Sequence, residues 1–211
     1  MWFILGLSSG LFHALQSMVS KQALRGANQY LVAFAYSAFS LPFLLIALFW
    51  LNLSQTNFAF WWSNIATSIL NVIALIILMK ALKIGELSLT ITFLAFTPIF
   101  LILTSALMLG ELPGFLGILG IISVVAGAYL LEMRKNEGIL GPWKAFKSNK
   151  AAQLALLVAF IYAISSNLDK IAVQNSNPIT KLIIGQLIVT SLFIPIIYFK
   201  SDQKLSEVNV G

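Results

Sequence analysis

The sequence predicts an all-α polytopic membrane protein of seven transmembrane helices: one complete five-helix repeat, then the first two helices of an inverted second repeat. Three observations carry this expectation. No charged side chain lies between Arg25 and Lys80. Seven apolar blocks, at 2–20, 29–51, 58–79, 87–109, 112–131, 151–168 and 182–199, each hold about the 17–25 residues that a helix needs to cross a bilayer. The chain also repeats itself at an offset of 149 residues, Ala14 falling on Ala163.

Composition narrows the class further. Apolar residues make up 59% of the chain and charged ones 9%, well below the quarter or so of a soluble domain. Lipid offers the backbone no hydrogen bonds, so spans must be helices or a closed barrel. Barrel strands alternate apolar and polar residues, and Leu41–Trp50 and Ile69–Leu78 do not. A net charge of +6 would point to nucleic acid in a soluble protein, but here the basic residues sit at block ends, where they orient helices and meet headgroups. The expected partners are the lipid bilayer and a small solute, with no nucleic acid. The absence of cysteine removes disulfides, thiolate metal sites and a cysteine nucleophile. Met1–Leu11 has no charge, so the first block reads as a retained helix rather than a cleaved signal.

In helix one, Gly6, Gly10, His13, Ser17 and Lys21 step by four, three, four and four residues and share a face, with Gln16 beside them. That face is either a pathway lining, with Lys21 able to meet an anionic group, or a close-packing face whose lysine snorkels to the interface. Helix two, 29–51, is a plain apolar span. Helix three sets Asn64, Ser68 and Asn71 on one face, with Thr67 adjoining. Helix four is threonine-rich and has Pro98, after Thr97, at its midpoint; proline there leaves the Leu94 carbonyl without its helical partner. Helix five carries Gly114, Gly117, Gly120 and Gly127, a pattern for close packing. The Gly85-Glu86-Leu87 and Gly110-Glu111-Leu112 steps before helices four and five read as helix ends and starts, with Pro113 suited to a first turn.

Residues 132–150 hold five of the thirteen basic residues, with Trp143 and Phe146 among them, and read as an interfacial linker. Beyond it the repeat begins. Ala14, Ser17, Lys21 and Ala23 fall on Ala163, Ser166, Lys170 and Ala172, and His13 falls on Tyr162. A unit of five helices, an odd number, starts its second copy from the opposite side of the membrane, as in inverted-repeat transporters. Asp169 is the one acid outside a loop or loop edge; it is not a ready partner for its neighbour Lys170, since adjacent helix residues do not face each other. Helix seven places Gln186 and Thr190 one turn apart.

Between Met79 and Leu131 the sequence reads Met79-Lys-Ala-Leu-Lys-Ile-Gly-Glu-Leu-Ser-Leu-Thr, Phe96-Thr-Pro-Ile-Phe, Leu109-Gly-Glu-Leu-Pro, Gly117-Ile-Leu-Gly-Ile and Gly127-Ala-Tyr-Leu-Leu131. This resembles the EamA-type permeases of the drug/metabolite transporter superfamily, and Lys21 and Lys170 also match that pattern. The resemblance implies ten helices in two inverted units around a central cavity, moving small organic solutes by alternating access. The chain would then be a first unit at 1–131, a linker at 132–150 and an incomplete second unit at 151–211. Its missing helices belong to a longer chain, to a second copy or to a partner. The loops after helices one, three, five and seven carry most of the lysines and arginines and those after helices two and four carry none, which places the N terminus outside; the resemblance implies a cytoplasmic one.

The expected function is a multi-pass permease of the inner or plasma membrane for a small organic solute; the alternative is a non-transporting assembly or scaffold subunit. An enzyme is not expected. There is one histidine, no paired intramembrane carboxylates and no phosphate loop, hence no catalytic set, no metal site and no cofactor. The expected pathway residues are His13, Gln16, Ser17, Lys21, Asn64, Ser68, Asn71, Thr97, Pro98, Tyr162, Ser166, Asp169 and Lys170.

Overall fold

The computed structural model describes residues 2–48, 53–135 and 141–200, and among these the secondary structure is entirely helical. Ten helices follow in order: α1 (Trp2–Ala23), α2 (Gln29–Ala38), α3 (Leu41–Leu48), α4 (Phe58–Ile84), α5 (Leu87–Leu94), α6 (Thr97–Leu109), α7 (Phe115–Lys135), α8 (Gly141–Ser148), α9 (Lys150–Gln174) and α10 (Pro178–Lys200). Among the described residues six stretches are long and apolar enough to cross a membrane: Gln29–Ile46, Phe58–Ile84, Leu87–Leu109, Phe115–Met133, Lys150–Gln174 and Pro178–Lys200. Sequence reading expected seven. The first block does form a helix of 22 residues, which is not among these six.

Two expected spans are broken, both just before a proline. Block 29–51 stops at Phe39–Ser40 and restarts as α3, whose second residue is Pro42. Block 87–109 stops at Ala95–Phe96 and restarts as α6, with Pro98 in its first turn. Proline is tolerated at a helix start, where its missing N–H would be unpaired anyway. Pro98 is therefore not a mid-helix kink, and Thr97 Oγ1 donates to the stranded Leu94 carbonyl at 2.6 Å.

The centre of the bundle is the α4–α9 pair. Ala151, Ala155, Ala159 and Ala163 recur every four residues on α9, all fully buried. Lipid tails are as apolar as leucine, so helices associate by close packing, and small side chains permit it. At the end of α4 the approach is closest: a Cβ added to Gly85 would lie 2.2 Å from Ala151 Cβ. Gly85 has an extended backbone, so space rather than conformation requires glycine there. Gly110 is the opposite case, ending α6 in the left-handed region at φ 67°, which glycine adopts without strain.

α2 and α10 pack on one side of α4, and α5 and α6 on α9. α8 is the short helix within the expected linker; Lys147 Nζ sits 5.2 Å from the Trp143 ring centroid, and Phe146 stacks on Phe93 of α5. α7 starts at Phe115, so Glu111 and Pro113 lie in the preceding loop rather than in a first turn. The expected close packing is not seen at most of these glycines. A Cβ at Gly6, Gly10, Gly114, Gly120 or Gly127 would meet nothing within 4 Å among the described residues, and one at Gly117 would meet Pro113 of the preceding loop at 3.2 Å. Outward faces carry large apolar side chains, among them Phe12, Leu107, Leu116 and Ile122, a surface suited to acyl chains.

Candidate functional site

A cavity of about 180 Å³ opens between α2, α4, α9 and α10, lined by Tyr36, Ser37, Asn71, Leu75, Tyr162, Gln186 and Val189. The break before Pro42 helps to make it, because Ser37 sits at the end of α2 with a carbonyl turned to side-chain partners. Gln186 Nε2 donates to that carbonyl at 2.7 Å and to Ser37 Oγ at 2.8 Å. Ser37 Oγ is also 2.9 Å from Thr190 Oγ1. These bonds fix α10 to α2 along one wall.

On the opposite wall a line of hydrogen bonds leads away from the cavity. Ser165 Oγ donates to Asn71 Oδ1 at 2.9 Å, Thr67 and Ser165 share a 2.6 Å contact, and Thr67 Oγ1 donates to Asp169 Oδ1 at 2.7 Å. Asp169 is in turn paired with Lys181 Nζ of α10 at 2.7 Å. A charge pair is thus held away from the cavity but joined to it through α4 and α9.

The structure brings Asn71 and Tyr162, of the expected pathway residues, to this cavity, and connects Asp169 to it. The others lie elsewhere. His13 and Ser166 are exposed, and Ser166 bonds back to the Tyr162 carbonyl of its own helix. Ser17 is buried but bonds the His13 carbonyl at 2.9 Å. Gln16 borders a separate groove with Ser20 and Tyr36 between α1 and α2. Pro98 borders a groove with Ser105 and Glu111, and Thr97 caps Leu94.

Both repeat-related lysines are engaged with protein. Lys21 Nζ donates to the Leu82 carbonyl and, at 2.6 Å, to the Gly85 carbonyl, the negative end of α4 where a cation is favoured. Lys170 pairs with Glu111 in a half-exposed bridge. Asn64 is fully buried and neither amide atom has a hydrogen-bond partner among the described residues; it faces Gly185, where an added Cβ would come within 2.9 Å of Asn64 Oδ1. Ser68 Oγ bonds the Asn64 carbonyl and reaches toward Gly185 O at 3.5 Å.

Sequence reasoning missed Tyr36, Ser37, Ser165 and Lys181. Tyr36-Ser37 was visible as a polar pair in an otherwise apolar block, five residues before Pro42. Ser165 was hidden by phase: the repeat pointed to Ser166, and its neighbour is the residue that faces α4.

These features define a class: a multi-pass helical membrane protein with a partly polar pocket between its spans. Residues 1–133, covering α1 to most of α7, match the family model of the EamA-like transporter family. The chain belongs to that family, the EamA-type permeases of the drug/metabolite transporter superfamily, whose members are transporters rather than enzymes. No curated protein and no solved structure is significantly similar to the chain.

Proposed function

We propose that the protein is a permease that moves a small organic solute by alternating access, with its solute site in the cavity between α2, α4, α9 and α10. One observation carries this reading. In a bundle whose outer faces are apolar, Tyr36, Ser37, Asn71, Tyr162 and Gln186 converge on one internal space. Polar groups in lipid-embedded helices are costly, and they mark pathways when they face a common cavity. The family membership supports the same reading, and in this proposal the chain divides into a first unit at 1–131, a linker at 132–150 and a second unit at 151–211.

In this proposal Lys21 and Lys170 are anchors rather than solute contacts. Lys21 closes the end of α4, and Lys170 ties α9 to the loop before α7. The solute contacts are Asn71, Tyr162 and Gln186, with Tyr36 and Ser37 completing the wall.

The test is counterflow in proteoliposomes across amides, amines, carboxylic acids and sugars. Gln186→Ala and Asn71→Ala are expected to lower exchange by about tenfold each, the loss of one or two hydrogen bonds to solute. His13→Ala and Ser166→Ala are expected to leave it unchanged. Exchange that ignores the cavity variants and falls with His13→Ala would move the site to α1. A protein that exchanges nothing but copurifies in a fixed ratio with another membrane protein would favour the scaffold reading.

A further inference from the structure

We infer that the cavity selects a small solute whose buried portion carries no formal charge and supplies both a hydrogen-bond donor and an acceptor. The inference rests on the permease reading above and names the chemistry of its site. None of the cavity's lining residues is Lys, Arg, His, Asp or Glu. The pair of opposite charges linked to it, Asp169 and Lys181, is already mutually satisfied. Asp169 is joined to the cavity through Thr67, Ser165 and Asn71 rather than facing it. An ion moved from water into such a space would meet no counter-charge, which strongly disfavours its entry.

Counting protons defines what the cavity does offer. Gln186 directs its Nε2 to both acceptors of Ser37, so its Oε1 remains to accept from a solute. Asn71 Oδ1 is taken by the Ser165 hydroxyl, so its Nδ2 remains to donate. The hydroxyls of Tyr36 and Tyr162 serve in either sense, while Leu75 and Val189 give the apolar part of the wall. One fixed donor and one fixed acceptor from facing helices match a group such as a carboxamide, which carries both. A carboxylate would bring only acceptors to Gln186 Oε1, and an ammonium only donors to Asn71 Nδ2. The space of about 180 Å³ lies below the range of drug-sized ligand pockets and favours a small solute.

Matched solutes that differ in charge more than in shape supply the experiment. The full-length protein, reconstituted in liposomes, is assayed by counterflow with nicotinamide, nicotinate and the 1-methylnicotinamide cation, and with propionamide, propionate and propylammonium. The expected result is exchange of the neutral member of a set at least about tenfold faster than either ion. Asn71→Asp is expected to shift the preference toward the cation, and Gln186→Glu provides the same shift from the facing wall should the first variant fail to fold. Preferential exchange of a carboxylate or an ammonium by the unaltered protein overturns the inference and leaves the permease reading standing. Absence of exchange for every member of both sets overturns the permease reading and the inference with it.

Discussion

Asn64 is the residue at which the structure is least satisfied. It is fully buried on α4 with both amide atoms unpaired, a condition that costs about 1–3 kcal/mol. Truncating a buried side chain normally destabilises, but here the loss of packing is offset by removal of the stranded amide. Asn64→Ala is therefore expected to change stability by no more than about 1 kcal/mol, whereas a well-packed core truncation costs about 2–5 kcal/mol. Thermal unfolding in detergent decides it, and a loss above the lower of those core values would mean that the amide has a bonding partner in solution. Gly85 gives the opposite expectation. Its missing Cβ leaves room for Ala151, and overpacking of this kind costs about 1–3 kcal/mol. Gly85→Ala should lower the unfolding temperature, and Gly85→Ala combined with Ala151→Gly should recover it. Recovery by the pair identifies the contact, since non-additivity appears only between residues that touch.

At the scale of helices, Asp169 and Lys181 join α9 to α10, and Thr67 adds α4 to the same junction. Lys181 and Asp169 side chains are 17% and 32% exposed, between the surface pairs worth little and the buried pairs whose breakage is severe. Lys181→Met is expected to cost about 1–2 kcal/mol, because it leaves a half-buried carboxylate supported by Thr67 alone. Asp169→Asn with Lys181→Met should cost less than Lys181→Met by itself, which a double-mutant cycle in detergent measures. Equal costs would show that the pair is solvated and structurally idle. How far the elements were legible follows from the same physics. The spans declared themselves because lipid forbids charge over long stretches, and Pro98 and Thr97 announced a break. What Pro42 would do was not anticipated, and helix one, the expected seventh span, forms a helix but is not among the six spans of the described residues. The ion pair escaped notice because Asp169 and Lys181 lie on different helices, and a single sequence records no contact between them. Helix periodicity found Asn71, and the repeat found Tyr162. Neither could choose between Ser165 and Ser166, since one residue turns a side chain by 100° and the burying neighbour is known only in three dimensions.

Over the whole molecule the contacts divide the bundle unevenly, and that division predicts how it moves. α4 belongs to the proposed first unit and α9 to the second, yet the alanine ladder makes theirs the closest seam. Two units rocking as independent rigid bodies would have to open that seam and forfeit its packing. The cavity wall formed by α2 and α10 is held differently: Ser37, Gln186 and Thr190 tie α2 to α10, while the polar Asn64 and Ser68 face Gly185 across the α4–α10 contact. Apart from the Asp169–Lys181 pair near the start of α10, this is a junction of unpaired or long polar contacts, which separates at less cost than a close-packed apolar one. Alternating access is therefore expected to swing α2 and α10 together against a fixed α4–α9 spine. The chain contains no cysteine, so pairs can be introduced without removing any. Thr67→Cys with Ser165→Cys bridges α4 to α9, where the native oxygens stand 2.6 Å apart; Ser68→Cys with Gly185→Cys bridges α4 to α10. On oxidation the first pair should retain most of its counterflow activity and the second should lose it, with reductant restoring it. Loss in both pairs would place the hinge in the α4–α9 seam after all, and retention in both would mean that the α10 wall does not move during transport.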